Sequence, residues 1–197
     1  MRVVELCADR DAVLLCDEVY RELEHDPAEL LPAACDLYER AVSLGSVSKT
    51  YGLPGLRTGW VASRDSALLD AIASVKLYTT ICSSAPSELL AALALRHRGR
   101  LAARNRALVL ENLVFADAFL ERHCELIGWV RPTASPVGFP RLRVLDTQAF
   151  CERLAAEAGV LLLPGEVYDE PGHVRLGLGR VGVPDAFERL DRFLASI

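Results

Sequence analysis

An apolar run over residues 12–16 stops abruptly at a carboxylate, in the segment Asp17-Glu18-Val19-Tyr20. Twenty-six residues after Tyr20 begins Ser-Val-Ser-Lys-Thr-Tyr-Gly-Leu-Pro-Gly-Leu-Arg-Thr-Gly, residues 46–59. A short apolar run bounded by polar residues reads as a buried strand. Asp17 then stands at the carboxyl end of a strand, where open α/β sheets gather their ligands. This pairing restricts the chain to an α/β layer with a polar turn at one end of its sheet.

The remaining pattern agrees with that class. Residues 41–44 and 59–62 read as further strands, and residues 66–77 as a helix with Leu68, Ile72 and Val75 on one side and Ser63 or Asp65 as cap. The expected order is strand, helix, strand, strand, helix. After Pro86 come helical stretches over 88–97 and 101–123, with Gly99 as the break and the passage between domains. Residues 129–131 and 142–145 read as strands, and Asp146 caps a helix carrying Phe150, Leu154 and Ala158 that Gly159 ends. Strands over 160–163 and 173–178 and a helix over 184–194 complete a smaller α/β unit.

Composition narrows the function. With 197 residues and 51% hydrophobic content, the chain can bury roughly 70% of its unfolded surface. A net charge of −5, with acids and bases mixed along the chain, excludes nucleic acid as a main partner. No apolar run reaches the roughly 18 residues of a membrane span. The six cysteines lie far apart with no zinc spacing and most stand beside apolar neighbours, so free thiols and a cytoplasmic location are expected.

Three tempting signals carry nothing. Gly177-Leu-Gly179-Arg-Val-Gly182 fits a dinucleotide fingerprint, but only fifteen residues follow it, too few for the strand that would bear the ribose ligand. Arg96, Arg100 and Arg104 recur every four residues, as a solvated helix face does. The four histidines have no mutual spacing that suggests a metal or a proton relay.

The turn after residue 45 is different. Alone, Asp17 is an ordinary strand-exit acid and Lys49 an ordinary surface lysine. Ser46 and Ser48 add hydroxyls to the same turn, Gly52, Gly55 and Gly59 let the backbone approach closely, and Arg57 supplies a planar fork matched to phosphate oxygens. An amine, hydroxyls, an arginine and an acid are what a protein needs to hold an aldehyde cofactor carrying a phosphate. Pyridoxal phosphate is that cofactor.

On these residues the chain resembles the class I and II aminotransferases of pyridoxal phosphate fold type I. Their signature reads here as Ser46, Ser48, Lys49, Gly52, Leu53, Gly55, Arg57 and Gly59, with Thr58 standing where an apolar residue is usual. Leu-Pro-Gly-Glu-Val-Tyr at 163–168 and His-Val-Arg-Leu-Gly at 173–177 extend the likeness. The resemblance implies part of the large-domain sheet over residues 1–98 and the small carboxyl-terminal α/β domain over 99–197. It implies transfer of an amino group from an amino acid to a 2-oxo acid, with Lys49 as the Schiff-base lysine that also moves the α-proton. Asp17 would keep the ring nitrogen protonated, and Tyr20 would contact the 3-oxygen. Ser46, Ser48 and Arg57 would hold the phosphate, and Arg175 would pair with the substrate's α-carboxylate.

Family members are about twice this length, and their first half supplies the rest of the phosphate cup and the neighbouring strands. Only sixteen residues precede Asp17. The resemblance therefore implies an amino-terminally truncated enzyme that needs a homodimer partner or the missing half. The strand over 12–16 reads as a central one, buried on both faces and lacking a neighbour. Two other readings remain on the same residues: a lyase, mutase or amino-acid cyclase on this scaffold, and a catalytically silent fragment.

Overall fold

The computed structural model describes residues 2–196. The chain folds as two compact units, one ending at Ala103 and one beginning at Arg104. The division falls inside a long helix, a few residues past the expected boundary at 98. Among the described residues, no helix is long and apolar enough to cross a membrane.

The first unit opens on α1 (Arg2–Ala8), a helix outside the elements expected from the sequence. Strand β1 (Leu14–Asp17) follows, then a one-turn helix α2 (Ala34–Leu37), then strand β2 (Ala41–Ser46) and strand β3 (Gly59–Ala62). The sheet order is β1-β2-β3. β1 and β2 are parallel, with Leu14 opposite Ala41 and Asp17 opposite Leu44. β2 and β3 are antiparallel, with Ser46 opposite Gly59.

Two expectations fail here for physical reasons. β1 is not buried on both faces: among the described residues it is the sheet edge, its residues alternate between half-buried and exposed, and Leu15 is 67% exposed. β2 takes the central role instead, with Ala41, Val42, Ser43 and Gly45 buried. The helix expected between the first two strands shrinks to the single turn of α2, because Pro27 and Pro32 break the backbone ladder a longer helix would need.

Helix α3 (Ser66–Thr79) is capped by Asp65, whose carboxylate accepts from Leu68 N at 3.0 Å. Helix α4 (Ala85–Arg96) begins at Ser84 and ends at His97, after which α5 (Arg98–Arg122) runs for 25 residues. The break therefore falls at His97 and not at Gly99, which α5 absorbs in its first turn. A small cluster of Val47, Tyr51, Ala91 and Ala102 packs this unit. Beside it the Tyr51 hydroxyl donates to Glu22 Oε2 at 3.2 Å, and Arg98 stands 3.9 Å from the other carboxylate oxygen.

The second unit has a larger core. Short strands β4 (Ile127–Gly128), β5 (Val137–Gly138) and β6 (Arg141–Leu142) lead into α6 (Thr147–Ala158), followed by β7 (Leu163–Pro164), β8 (Val174–Gly177) and α7 (Val183–Leu194). β8 is the centre of a sheet ordered β5-β8-β7, and β4 pairs with β6. Asp146 caps α6 by accepting from Ala149 N at 2.9 Å, and Gly159 ends it. Phe119, Leu113, Leu154 and Leu178 are the most enclosed apolar side chains.

The strands are shorter than the apolar runs suggest. Val130 and Leu145, expected in strands, are 89% and 109% exposed, and the strand expected over 160–163 begins only at Leu163. Pro132, Pro136 and Pro140 deny the ladder its donors on both sides of β5. A buried amide replaces part of that missing pairing: Asn112 of α5, 1% exposed, donates through Nδ2 to Leu178 O at 2.7 Å and Arg180 O at 2.8 Å.

Replacing Asn112 by leucine removes the donor to two carbonyls, one of them buried, so urea unfolding should show a loss of about 1–3 kcal/mol. A second expectation concerns pH. Burial, with the Glu22 carboxylate adding to it, pushes the Tyr51 phenol up to about 12, whereas an unfolded tyrosine ionises near 10. The folded state holds the proton longer, so this contribution to stability is complete below pH about 10 and is lost between about 10 and 12. Tyrosinate absorbance should show one of the five tyrosines ionising last, and Tyr51→Phe should remove that step.

Candidate functional site

Parallel pairing of β1 and β2 brings their carboxyl ends to the same end of the sheet, and β3 starts there with Gly59 opposite Ser46. Everything expected of the first unit's site gathers at this end. Asp17 closes β1, exposed, with Oδ1 accepting from Val19 N at 3.1 Å. Tyr20 follows three residues on, half-buried. Ser46 closes β2, half-buried, and its hydroxyl accepts from Ser48 N at 3.2 Å.

Lys49 projects from the turn after β2 and is exposed. Its Nζ stands 5.9 Å from the centre of the Tyr20 ring, at the edge of cation–π reach. Two residues far apart in sequence thus meet. Two features hold this turn. Val47, fully buried, donates its N–H to Thr58 O at 3.2 Å and accepts from Leu53 N at 3.0 Å. Gly52 takes φ of 70°, a left-handed conformation open to a residue without Cβ, and closes the turn onto Lys49 O at 3.1 Å.

Thr50 is the residue that pattern reading passes over. It is 1% exposed, and its hydroxyl lies 2.7 Å from Arg21 O and 3.1 Å from Val19 O. The lysine turn is thereby tied to the loop that carries Tyr20. Its only sequence signal is position: a small β-branched residue directly after the lysine.

Arg57 adopts φ of 52°, uncommon for a residue with a side chain, and is exposed. Its Nη1 donates to Pro54 O at 3.0 Å, while the rest of the guanidinium fork faces outward. Gly59 is required by proximity, because a Cβ there would stand 2.8 Å from Gly45 O.

Two adjacent acids have different surroundings. Glu18 accepts from Ser43 Oγ at 2.6 Å and from Ala34 N at 2.8 Å, so it ties α2 to the sheet. Burial first, and the Glu18 carboxylate after it, raise the proton affinity of the Cys16 thiol. Among the described residues, Asp17 makes only the local contact to Val19 N and stands open. A cleft of about 260 Å³ lies beside this end of the sheet, lined by Glu18, Glu22, Thr50, Tyr51, Trp60 and Ser46 among others. Of the expected site residues it contains Ser46 alone; the amine, the open acid and the arginine lie outside it.

Arg175 belongs to the second unit. It is half-buried on β8, with Leu163 opposite, and it points away from the core side taken by Val174 and Leu176.

The chain matches the family model for aminotransferase class I and II over residues 1–186. It is 35% identical over 184 residues to capreomycidine synthase of Streptomyces vinaceus, covering 89% of this chain and 45% of that protein. It is 31% identical over 188 residues to the arginine–pyruvate transaminase of Pseudomonas aeruginosa, covering 89% and 46%. It is 30% identical over 183 residues to the L-aspartate:5-guanidino-3-methyl-2-oxopentanoate transaminase of Pseudomonas syringae, covering 90% and 46%. A crystal structure of a PLP-dependent aminotransferase from Streptococcus suis superposes with a TM-score of 0.90 at 35% identity, covering 98% of this chain and 51% of that one. The chain spans about half the length of the relatives it matches. A match over residues 1–186 of 197 settles its membership: this chain belongs to the aminotransferase class I and II family.

Proposed function

We propose that this chain is the lysine-bearing part of a pyridoxal phosphate enzyme that transfers an amino group from an amino acid to a 2-oxo acid. The observation that carries this reading is the meeting of Lys49 with Tyr20 at the sheet end where Asp17, Ser46 and Arg57 also lie. The donor set fits the cofactor group by group. Lys49 offers an exposed amine for the aldehyde, and Asp17 an open carboxylate for the ring nitrogen. Tyr20 brings a phenol for the 3-oxygen, and Ser46, Ser48 and Arg57 supply hydroxyls and a fork for the phosphate. The left-handed backbone at Arg57 is a local strain of the kind found where a side chain must be aimed.

When bound, pyridoxal phosphate supplies an electron sink that eases loss of the α-proton. The protein's part is positioning and proton movement. Asp17 would pair with the ring nitrogen and favour its protonated form. Lys49, tethered through Thr50 to the Tyr20 loop, is placed to take a proton from the α-carbon and return it elsewhere. Arg175 grips the α-carboxylate in a bidentate pair and fixes the orientation of the substrate.

We infer a guanidino-bearing amino acid as the substrate class. Arginine and a 5-guanidino oxo acid appear in the names of two relatives at 30% identity or above. A second reading, a lyase, mutase or cyclase reaction without net transfer, is favoured by the relative named a synthase at 35% identity. The edge of β1, unpaired among the described residues and with Leu15 and Val13 exposed, supports association with a second copy or with a polypeptide supplying further strands.

Titration with pyridoxal phosphate should give a visible absorbance that Lys49→Ala abolishes and that borohydride fixes on the peptide containing residue 49. Absence of a lysine-dependent band would refute the reading. Arg57→Lys should weaken cofactor binding about tenfold, since a point charge cannot replace a fork. Formation of an oxo acid from arginine distinguishes transfer from the second reading. Association is checked by sedimentation: a well-behaved 21.5 kDa monomer at micromolar concentration contradicts it.

A further inference from the structure

The face of β8 that bears Arg175 also carries an aromatic group to which the reaction assigns no role. Val137 pairs with Gly177, Gly138 with Leu176, and Arg141 with His173, which places Phe139 directly opposite Arg175. Val174 N donates to Pro140 O at 3.0 Å and Leu178 N to Pro136 O at 2.7 Å. Phe139 and Arg175 therefore form a non-hydrogen-bonded pair, the kind whose side chains stand closer together. Neither Gly138 nor Pro140 shares this face: both are buried on the core side.

Phe139 is held from two directions. The His173 ring stacks on it with centroids 5.1 Å apart and planes 6° from parallel. The Tyr168 ring stands perpendicular to it at 5.7 Å. Despite both neighbours, Phe139 remains 40% exposed. A phenyl ring fixed in place, partly bare, and one strand from a carboxylate-binding arginine is a ready platform for whatever hangs from the α-carbon. Its π face is negative, and a guanidinium, planar and weakly hydrated, is the cation that stacks on such a face most readily.

Charge permits this. The substrate carboxylate neutralises Arg175, and Asp169 and Glu170, both exposed, follow Tyr168 directly and add negative charge. Arg141 on the same strand face is exposed, and water and salt screen it. We propose that Phe139, braced by His173 and Tyr168, is the specificity-determining residue that seats the guanidino side chain of a substrate whose carboxylate Arg175 holds. This inference rests on the amino-acid substrate reading above and names the group that would select within it.

The test is a three-member series, Phe139→Leu, wild type and Phe139→Trp. Leucine preserves bulk and β-strand compatibility, so each protein is first shown to have unchanged circular dichroism. Arginine, norleucine and phenylalanine are titrated by calorimetry into the full chain, with and without pyridoxal phosphate. The ratio of arginine to norleucine affinity should fall about five- to tenfold in Phe139→Leu and rise in Phe139→Trp, because tryptophan offers the strongest cation–π face. A ratio that stays constant across the series overturns the proposal while amino-acid binding itself leaves the functional reading standing. A wild-type preference for phenylalanine over arginine overturns it as well. Binding of no amino acid by the cofactor-loaded chain overturns both.

Discussion

The parallel pairing of β1 with β2 is the contact on which the first unit's site depends. It sets Asp17 opposite Leu44, so the acid that ends one strand and the serine that ends the next arrive at the same edge of the sheet. A slip of one residue would turn every side chain of β1 to the other face. Glu18 guards this register. Its carboxylate joins Ser43 on β2 to the amide of Ala34 on the connecting turn, and a half-buried acid satisfied by two donors in that way resists being moved. Of this adjacent pair, Asp17 stands open while Glu18 is satisfied within the fold.

Much of the fold is legible in the sequence where local chemistry and tertiary context agree. Asp65 and Asp146 cap the helices their positions suggest, and Gly159 ends its helix in the left-handed conformation that favours glycine. Legibility fails where a neighbour decides. Nothing in residues 12–16 says that β1 will sit at an edge, because an apolar run has the same letters whether one or two strands flank it. Gly99 reads as a break because glycine is a poor helix former. The first turn of α5 tolerates it, while His97 closes α4 through its own backbone bond to Ala94 O. The short strands of the second unit follow from prolines whose missing donors matter only once a ladder is attempted.

The candidate site divides in the same way. Residue types that chemistry demands, an amine, an acid and a fork, are visible at fixed spacing in the chain. The supports are not. Thr50 has no motif of its own, yet its hydroxyl spans residues 31 and 29 positions away, and only the folded backbone brings Val19 O and Arg21 O within its reach. Phe139 is equally silent in sequence, since a lone aromatic between glycine and proline reads as core. Register alone reveals that it faces Arg175 instead.

The residues proposed to hold the cofactor and the arginine proposed to hold the substrate rest on separate cores. Lys49, Asp17, Tyr20 and Arg57 are positioned by a three-stranded sheet and a small cluster around Val47, whereas Arg175 and Phe139 are positioned by the larger core around Leu113, Phe119 and Leu154. Under the proposed roles, such a division would let the side chains around Arg175 vary while the residues around Lys49 keep their register.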